Sequence, residues 1–469
     1  MALYNGHGNK IINLGPYYNC QDYGVVTSNG DNSAAMQALI DKVHENGGGV
    51  IWVPAGVYKF DGKNGSSALS GNVQACLTAR SGVSIIGESI TETVMKVYGD
   101  TTSGAAWIAS LSTNITVGCA FQNFTVDMSK ETIASYTHKG KAFYLSGIKD
   151  CIFRDLRLLS TPSTSLGIDM LDNVVIDSVY VYKGGRQWSI GGPGGAGIGI
   201  GTGLWEHENY IIRNCICDSC GHFGIFLEDQ GLFASSPVRD YPKGQIIANN
   251  IIRNGRNYGI GVRGGQNVVI TGNNIYENYG GIYVDFGAKN IMISNNCVQG
   301  NAEAGILFGN EDATLNGAGY ACENVILTGN GFYENLFGTW TITEPQNSQT
   351  SNNFYVGNRA EQPMESAINE SLIVMAVYIN DSGEETSLSG NWLYNTFIDL
   401  TTTRFLYTLG ATNESIRIAE YDADKNFIKR WYGDYEASTI ALRVSENCRY
   451  IRIGDNCGGK VGTTLKLYN

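Results

Sequence analysis

Along most of this chain, apolar residues come in short alternating bursts, each opened or closed by glycine or asparagine. The clearest phrase is Gly-Ile, any residue, then an apolar residue. It recurs as Gly167-Ile168-Asp169-Met170, Gly197-Ile198-Gly199-Ile200, Gly224-Ile225-Phe226-Leu227, Gly259-Ile260-Gly261-Val262, Gly281-Ile282-Tyr283-Val284 and Gly305-Ile306-Leu307-Phe308. Successive glycines lie 30, 27, 35, 22 and 24 residues apart. Self-similarity at such a period marks a repeat architecture. Each repeat is rich in β-formers and too short for a strand–helix–strand unit, so the pattern predicts the coils of a β-solenoid. Asparagines fall in two further columns. Asn173, Asn209, Asn267, Asn290 and Asn324 precede apolar triplets, and Asn214, Asn249, Asn273, Asn295 and Asn330 follow them. Asparagine tolerates left-handed backbone, and stacked amides bond one another as a ladder, so these columns are read as structural.

The ends of the chain read differently. Asp31-Asn32-Ser33 precedes an amphipathic helix from Ala34 to His44, and Gly47-Gly48-Gly49 ends it. Val50-Ile51-Trp52-Val53 follows as a buried strand. A helix there would cover the open end of a solenoid core. Strands continue from Val83-Ser84-Ile85-Ile86 through Phe121 to Val126. The repeat fades after Asn335, and residues 346–371 are polar. Short alternating strands then recur, such as Ile373 to Tyr378, Ser415 to Tyr421, Thr439 to Val444 and Tyr450 to Ile453, which predicts a β-sandwich.

The run Asp22-Tyr23-Gly24-Val25, the Asp31-Asn32-Ser33 turn with its helix, and Gly47-Gly48-Gly49-Val50-Ile51-Trp52-Val53-Pro54-Ala55-Gly56-Val57-Tyr58 together resemble the opening motif of the pectate-lyase-like superfamily. Polygalacturonase-type enzymes and many phage tailspike depolymerases share that motif. Over residues 16–345 the resemblance implies an all-β fold, a right-handed parallel β-helix with an N-terminal helical cap, followed here by the small C-terminal β-sandwich. The expected division is a cap over 1–60, the β-helix over 61–345, a linker over 346–371 and the sandwich over 372–469. The superfamily includes hydrolases, lyases, epimerases and simple fibres, so it does not settle the substrate. The tailspike likeness implies a homotrimer that acts outside the cell or on a virion. The sandwich would serve assembly or glycan binding.

Composition narrows the partners. The formal net charge is −12 and no basic tract appears, so nucleic acid is not an expected partner. No stretch is long enough to span a membrane, and no signal peptide is visible at Met1-Ala2-Leu3-Tyr4-Asn5. The 11 cysteines include Cys217-Asp218-Ser219-Cys220, which has no second pair to complete a zinc site. No metal or other cofactor is expected, except that a lyase could use Ca²⁺ held by carboxylates.

Strand alternation then selects a face. If the Ile and the following apolar residue of each phrase point inward, one outward column reads Asp169, Gly199, Phe226, Gly261, Tyr283, Leu307. The next reads Leu171, Gly201, Glu228, Arg263, Asp285, Gly309. Asp169, Glu228, Arg263 and Asp285 thus share an external strip with Phe226 and Tyr283, and glycines 199, 201 and 261 leave room among them. Aromatic faces, carboxylates and arginine suit a carbohydrate. Glu228 is the leading catalytic candidate, with Asp285 or Asp169 as partner and Asp229 as a closer neighbour. Carboxyl groups about 6.5–9.5 Å apart invert at the anomeric carbon, and about 5–5.5 Å retain, so spacing across coils favours inversion. Two insertions flank the strip. One is Trp205-Glu206-His207-Glu208, and the other runs from Gln230 to Lys243 with Arg239. Trp188, Trp205, Glu206, His207, His222 and Arg239 are candidate wall and substrate-binding residues. The expected activity is hydrolysis of a polysaccharide. A lyase with Arg263 near the reacting proton stays open, as do a transglycosylase, an epimerase, and a fibre or adhesin with no chemistry.

Overall fold

The computed structural model describes residues 2–4, 10–13, 15–62, 66–69, 73–101, 104–110, 115–134, 136–188, 194–233, 244–309, 321–341 and 345–358, together with segments 373–379, 385–394, 398–399, 405–409, 416–432, 439–443, 447–455 and 464–468. Two compact units divide the chain. The first comprises Met1–Gln299, Ile306–Phe332 and Trp340–Phe354, and the second Gly300–Gly305, Tyr333–Thr339 and Tyr355–Asn469.

The repeated phrase builds one sheet of the first unit. Its strands are β1 (Phe143–Lys149), β2 (Leu166–Asp172), β3 (Ile198–Thr202), β4 (Ile225–Asp229), β5 (Tyr258–Arg263) and β6 (Gly280–Asp285). Each pairs in parallel with the next coil. Inward positions stack like on like: Leu145, Ile168, Ile200, Leu227, Val262 and Val284 form one buried column. Burying each such side chain contributes about 1.5–3 kcal/mol, and the column works only if every coil adds a member. Two further parallel sheets complete each turn, for example through Gln266–Thr271 beside Lys289–Ser294 and through Asn274–Tyr276 beside Cys297–Gln299. The coils wind as a right-handed β-helix.

The asparagine columns resolve into an outer and an inner ladder. On the outside, Asn290 donates to Asn267 at 2.9 Å and Asn324 to Asn290 at 2.8 Å, all three with left-handed backbone. The inner ladder is Asn250, Asn273, Asn296, Asn330 and Asn353, each amide donating to the next at 2.9 Å. Asn249 and Asn295, expected in that same column, instead hold the left-handed turn one residue earlier, at φ 57°. Gly272 and Gly329 occupy the same turn position in their coils. The sequence column therefore mixed turn and ladder residues, because either position accepts asparagine.

The helix Ser33–Glu45 caps the core with Met36, Leu39, Ile40 and Val43, all buried. Asn32 makes no side-chain cap bond. Asp31 accepts from the Ser33 amide at 2.9 Å instead, while Asn32 binds Val26 N and the Lys59 carbonyl. Gly48 (φ 98°) needs to be glycine, since a Cβ there would lie 2.7 Å from the Gly82 carbonyl oxygen. Coil stacking also runs past residue 345: Ile326 pairs with Gln349 and the inner ladder reaches Asn353, so the segment expected as a linker opens with another coil. The C-terminal β-sandwich is antiparallel, with one sheet through Ile373–Ile379, Glu385–Tyr394, Tyr450–Asp455, Ile416–Tyr421 and Phe427–Tyr432, and another through Thr439–Arg443, Phe405–Leu409 and Thr464–Tyr468.

One buried acid departs from the apolar rule. Glu131 is fully buried and accepts from the Ala105 amide at 2.7 Å. Burial pushes its pKa up to about 7, against smaller opposing effects of that amide and Arg186. A raised carboxyl pKa favours the folded state fully below the unfolded value, and this contribution is lost as pH rises towards about 7. Glu131→Gln keeps an acceptor for Ala105 and removes the titration. Urea denaturation at pH 5 and pH 8 is expected to show the variant gaining about 2–3 kcal/mol on the parent at the higher pH. An equal offset at both pH values would refute this origin.

Candidate functional site

The strip exists, with one coil shifted. The phrase at Gly167 was expected to set Asp169 beside Gly199, but the pairing is Gly167 with Gly199 and Asp169 with Gly201. The period of two allows that slip. It is decided by Leu166 and Ile168, which both enter the core, and by left-handed Met170 (φ 55°), which breaks the alternation and turns Leu171 inward. One outward column therefore reads Ser146, Asp169, Gly201, Glu228, Arg263, Asp285, and its neighbour Tyr144, Gly167, Gly199, Phe226, Gly261, Tyr283, Leu307.

Asp169 and Glu228 flank Gly201. A Cβ on Gly201 would collide with the Asp169 carboxylate and with Gln230, so glycine is needed for those two side chains to meet over this rung. Gln230 Nε2 donates to Asp169 Oδ1 at 2.9 Å. Arg263 Nη1 lies 3.5 Å from Glu228 Oε1, and its guanidinium stacks 4.0 Å from the Phe286 ring centroid. Burial raises the pKa of Asp169, opposed by Lys141 and Gln230. Burial also raises that of Glu228, with Arg263 opposing and Asp169 reinforcing. Lys141 reaches in from the coil before the phrase. It is buried over Gly167, 4.2 Å from the Tyr144 ring centroid, and burial lowers its pKa against the pull of Asp169 and Glu228.

Asp285 is fully buried and accepts a hydrogen bond from Tyr283, which withdraws it from the surface although it shares the column. Asp229 turns off the strip, and its Oδ1 accepts from Gly231 N at 2.9 Å. Phe226 stacks on Phe223 (4.5 Å, 4°), and both rings occupy the space above Gly261. The expected hollow at Gly201 and Gly261 is thus filled by side chains. Trp188 stacks on His222 (4.4 Å, 14°), and His222 Nδ1 meets the Gly194 carbonyl at 2.9 Å. Burial pushes His222 down to about 4, so it packs as a neutral ring.

The Trp205 insertion splits. Glu206 and His207 are exposed and Trp205 half-buried. Glu208 is buried and closes the loop, accepting from Gly203 N at 2.7 Å and from Trp205 N at 3.2 Å. Arg239 lies outside the described residues. Cys217 is buried against Cys220, and that bond with burial holds its thiol well above the usual range. Among the described residues no group of three His, Cys, Asp or Glu side chains could hold a metal ion, and no helix is long and apolar enough to cross a membrane.

Sequence reasoning missed Lys141 and Gln230. Lys141 precedes the first copy of the phrase, so the repeat could not align it. Gln230 could have been found, because alternation from Glu228 carries it to the same side.

A family defined as "right handed beta helix region" matches residues 234–397. The chain has the right-handed parallel β-helix fold that the sequence resemblance implied. In sequence, the chain is similar to the mannuronan C5-epimerase AlgE1 of Azotobacter vinelandii, at 27% identity over 266 residues, 56% of this chain and 16% of that protein. The match thus takes in a small part of the relative's length. Among solved structures, the mannuronan C-5 epimerase AlgE4 A-module of Azotobacter vinelandii superposes with TM-score 0.50 at 17% identity, covering 73% of this chain and 96% of that one. A Yersinia enterocolitica family 28 exopolygalacturonase superposes with TM-score 0.50 at 14% identity, covering 74% and 76%. The relatives of this β-helix include polysaccharide-acting enzymes of more than one reaction type.

Proposed function

We propose that this β-helix cleaves a polysaccharide by hydrolysis, with Asp169 and Glu228 as its acid and base. The observation that carries the reading is the pair itself: two half-buried carboxyl groups in one outward column, one coil to either side of Gly201. Two rungs of about 4.8 Å put their backbones about 10 Å apart, and side chains leaning over Gly201 approach the 6.5–9.5 Å of inverting enzymes. The deeper Asp169, its pKa raised by burial, suits protonation of the leaving oxygen. Glu228, beside Arg263, suits activation of water. Gln230 and Lys141 orient Asp169, and Phe226 offers a ring for a sugar face. Asp285 holds Tyr283 in place rather than touching substrate. A polymer substrate implies action outside the cell or on a virion.

A second reading has its own support. The sequence relatives are named for C5 epimerisation of mannuronan, and Lys141 and Arg263 could neutralise a uronate carboxylate while a neighbouring group removes the C5 proton. Product analysis on neutral and uronate polysaccharides separates the two. Hydrolysis gives new reducing ends without unsaturated uronate absorbance, and its absence on every polymer refutes the first reading. Elimination gives that absorbance, and epimerisation changes the anomeric proton spectrum without shortening the chain.

A further inference from the structure

A separate cavity of about 580 Å³ lies near the N-terminal cap, lined by Gly30, Lys59, Asp61, Lys96, Tyr98 and Lys130 among others. Its side chains come from three successive coils. Lys59 pairs in register with Lys96, and Lys96 with Asp127; beside them, Asp61 pairs with Tyr98, and Tyr98 with Lys130. Like charges directly opposite one another on a sheet are destabilising, so setting Lys59 against Lys96 is a cost with no return to the fold. Lys96 is neutralised by Asp127 at 2.8 Å. Lys59 and Lys130 make no ion pair with a described residue. A surplus of cations in a concavity is unexpected in a chain of net charge −12. Tyr98 is fixed between them, its hydroxyl donating to the Gly30 carbonyl at 2.8 Å.

We propose that this groove is an accessory docking site for an acidic polysaccharide, lying along the β-helix axis and distinct from the Asp169–Glu228 strip. Rungs about 4.8 Å apart set Lys59 and Lys96 in one column, and Lys130 stands on the third coil in the neighbouring column beside Tyr98, so the cations are spread over three coils, which suits a polymer with repeated anionic groups better than a single small ion. Asp61 and Asp127 add acceptors for sugar hydroxyls and would repel a denser phosphate backbone, so a glycan fits better than nucleic acid. The site stands apart from the chemistry proposed for the strip.

The test uses the full chain carrying Glu228→Gln, so that no probe is turned over. Binding of oligogalacturonate, maltooligosaccharide and single-stranded DNA is measured by calorimetry, with and without Lys59→Ala plus Lys130→Ala. The double substitution is expected to weaken oligogalacturonate binding about three- to tenfold, the scale of two exposed ion pairs, and to flatten its salt dependence. Maltooligosaccharide binding should not move. With Glu228 intact, turnover of a short oligosaccharide should also be unchanged. Unchanged oligogalacturonate affinity, no oligogalacturonate binding by the parent, an equal loss for the neutral oligomer, or tighter DNA binding that the substitutions abolish would each overturn the proposal. None of these outcomes depends on which reaction the strip catalyses.

Discussion

Glu228→Gln is expected to lower kcat about a thousandfold, within the range of 10²–10⁴ that a positioned acid or base supplies, while KM changes little. The amide is isosteric, keeps an oxygen near Arg263 Nη1 and cannot accept the proton of an attacking water. Asp169→Asn should cost a similar factor, and the double variant little more, because the two groups act in one step. The pH profile separates their roles. Burial raises both pKa values, so the active window should sit above the ordinary carboxylate range. Activity should fall on the acid side as Glu228 becomes protonated and on the alkaline side as Asp169 loses its proton. Asp169→Asn should remove the alkaline limb and leave the acid limb. Asp285→Asn should cost far less, since its carboxyl is buried under Tyr283. If Glu228→Gln retained more than about a tenth of the parent kcat, the carboxylate pair would not be the catalytic centre.

The coil phrase was enough to read a β-solenoid, because its glycines and isoleucines carry the turn and core positions of the coils, and the right-handed parallel β-helix came from the resemblance of residues 22–58. The column Glu228, Arg263, Asp285 was readable for the same reason, as three successive coils have it at one offset from the phrase. Asp169 was placed two residues out. Gly167 opens a phrase by spelling but pairs with the third residue of the next one, and only the burial of Leu166 beside Ile168 decides between the registers. Lys141 could not be placed, since it reaches the acids from an irregular segment before β1. The sharing of Asn249, Asn273, Asn295 and Asn330 between turn and ladder was likewise hidden. Their spacing differs by one residue, and a coil shift of one reverses which amide points inward.

The largest stability effect is expected at that inner ladder. Asn296 is buried, donates to Asn330 Oδ1 at 2.9 Å and to the Ile270 carbonyl at 3.0 Å, and accepts at 2.9 Å from both the backbone and side-chain nitrogens of Asn273. Asn296→Ala breaks all four bonds at once. The corner is buried, so donors on Asn273 and the Ile270 carbonyl lose their partners in the interior, while Asn330 Oδ1 keeps the Asn296 backbone N–H at 3.0 Å. Each orphaned group costs about 1–3 kcal/mol before relaxation, and allowing for partial repair the expected loss is about 3–5 kcal/mol. Asn290 is the control. It makes the same amide-to-amide bonds on an exposed corner, where solvent replaces them, and because its backbone is left-handed (φ 56°) the control substitution is Asn290→Gly, which should cost below about 1 kcal/mol. Urea denaturation of the two variants under one condition reads the difference. Equal losses would mean that stranding buried polar groups at Asn296 costs no more than losing exposed ladder bonds, since only one of the two substitutions leaves such groups in the interior.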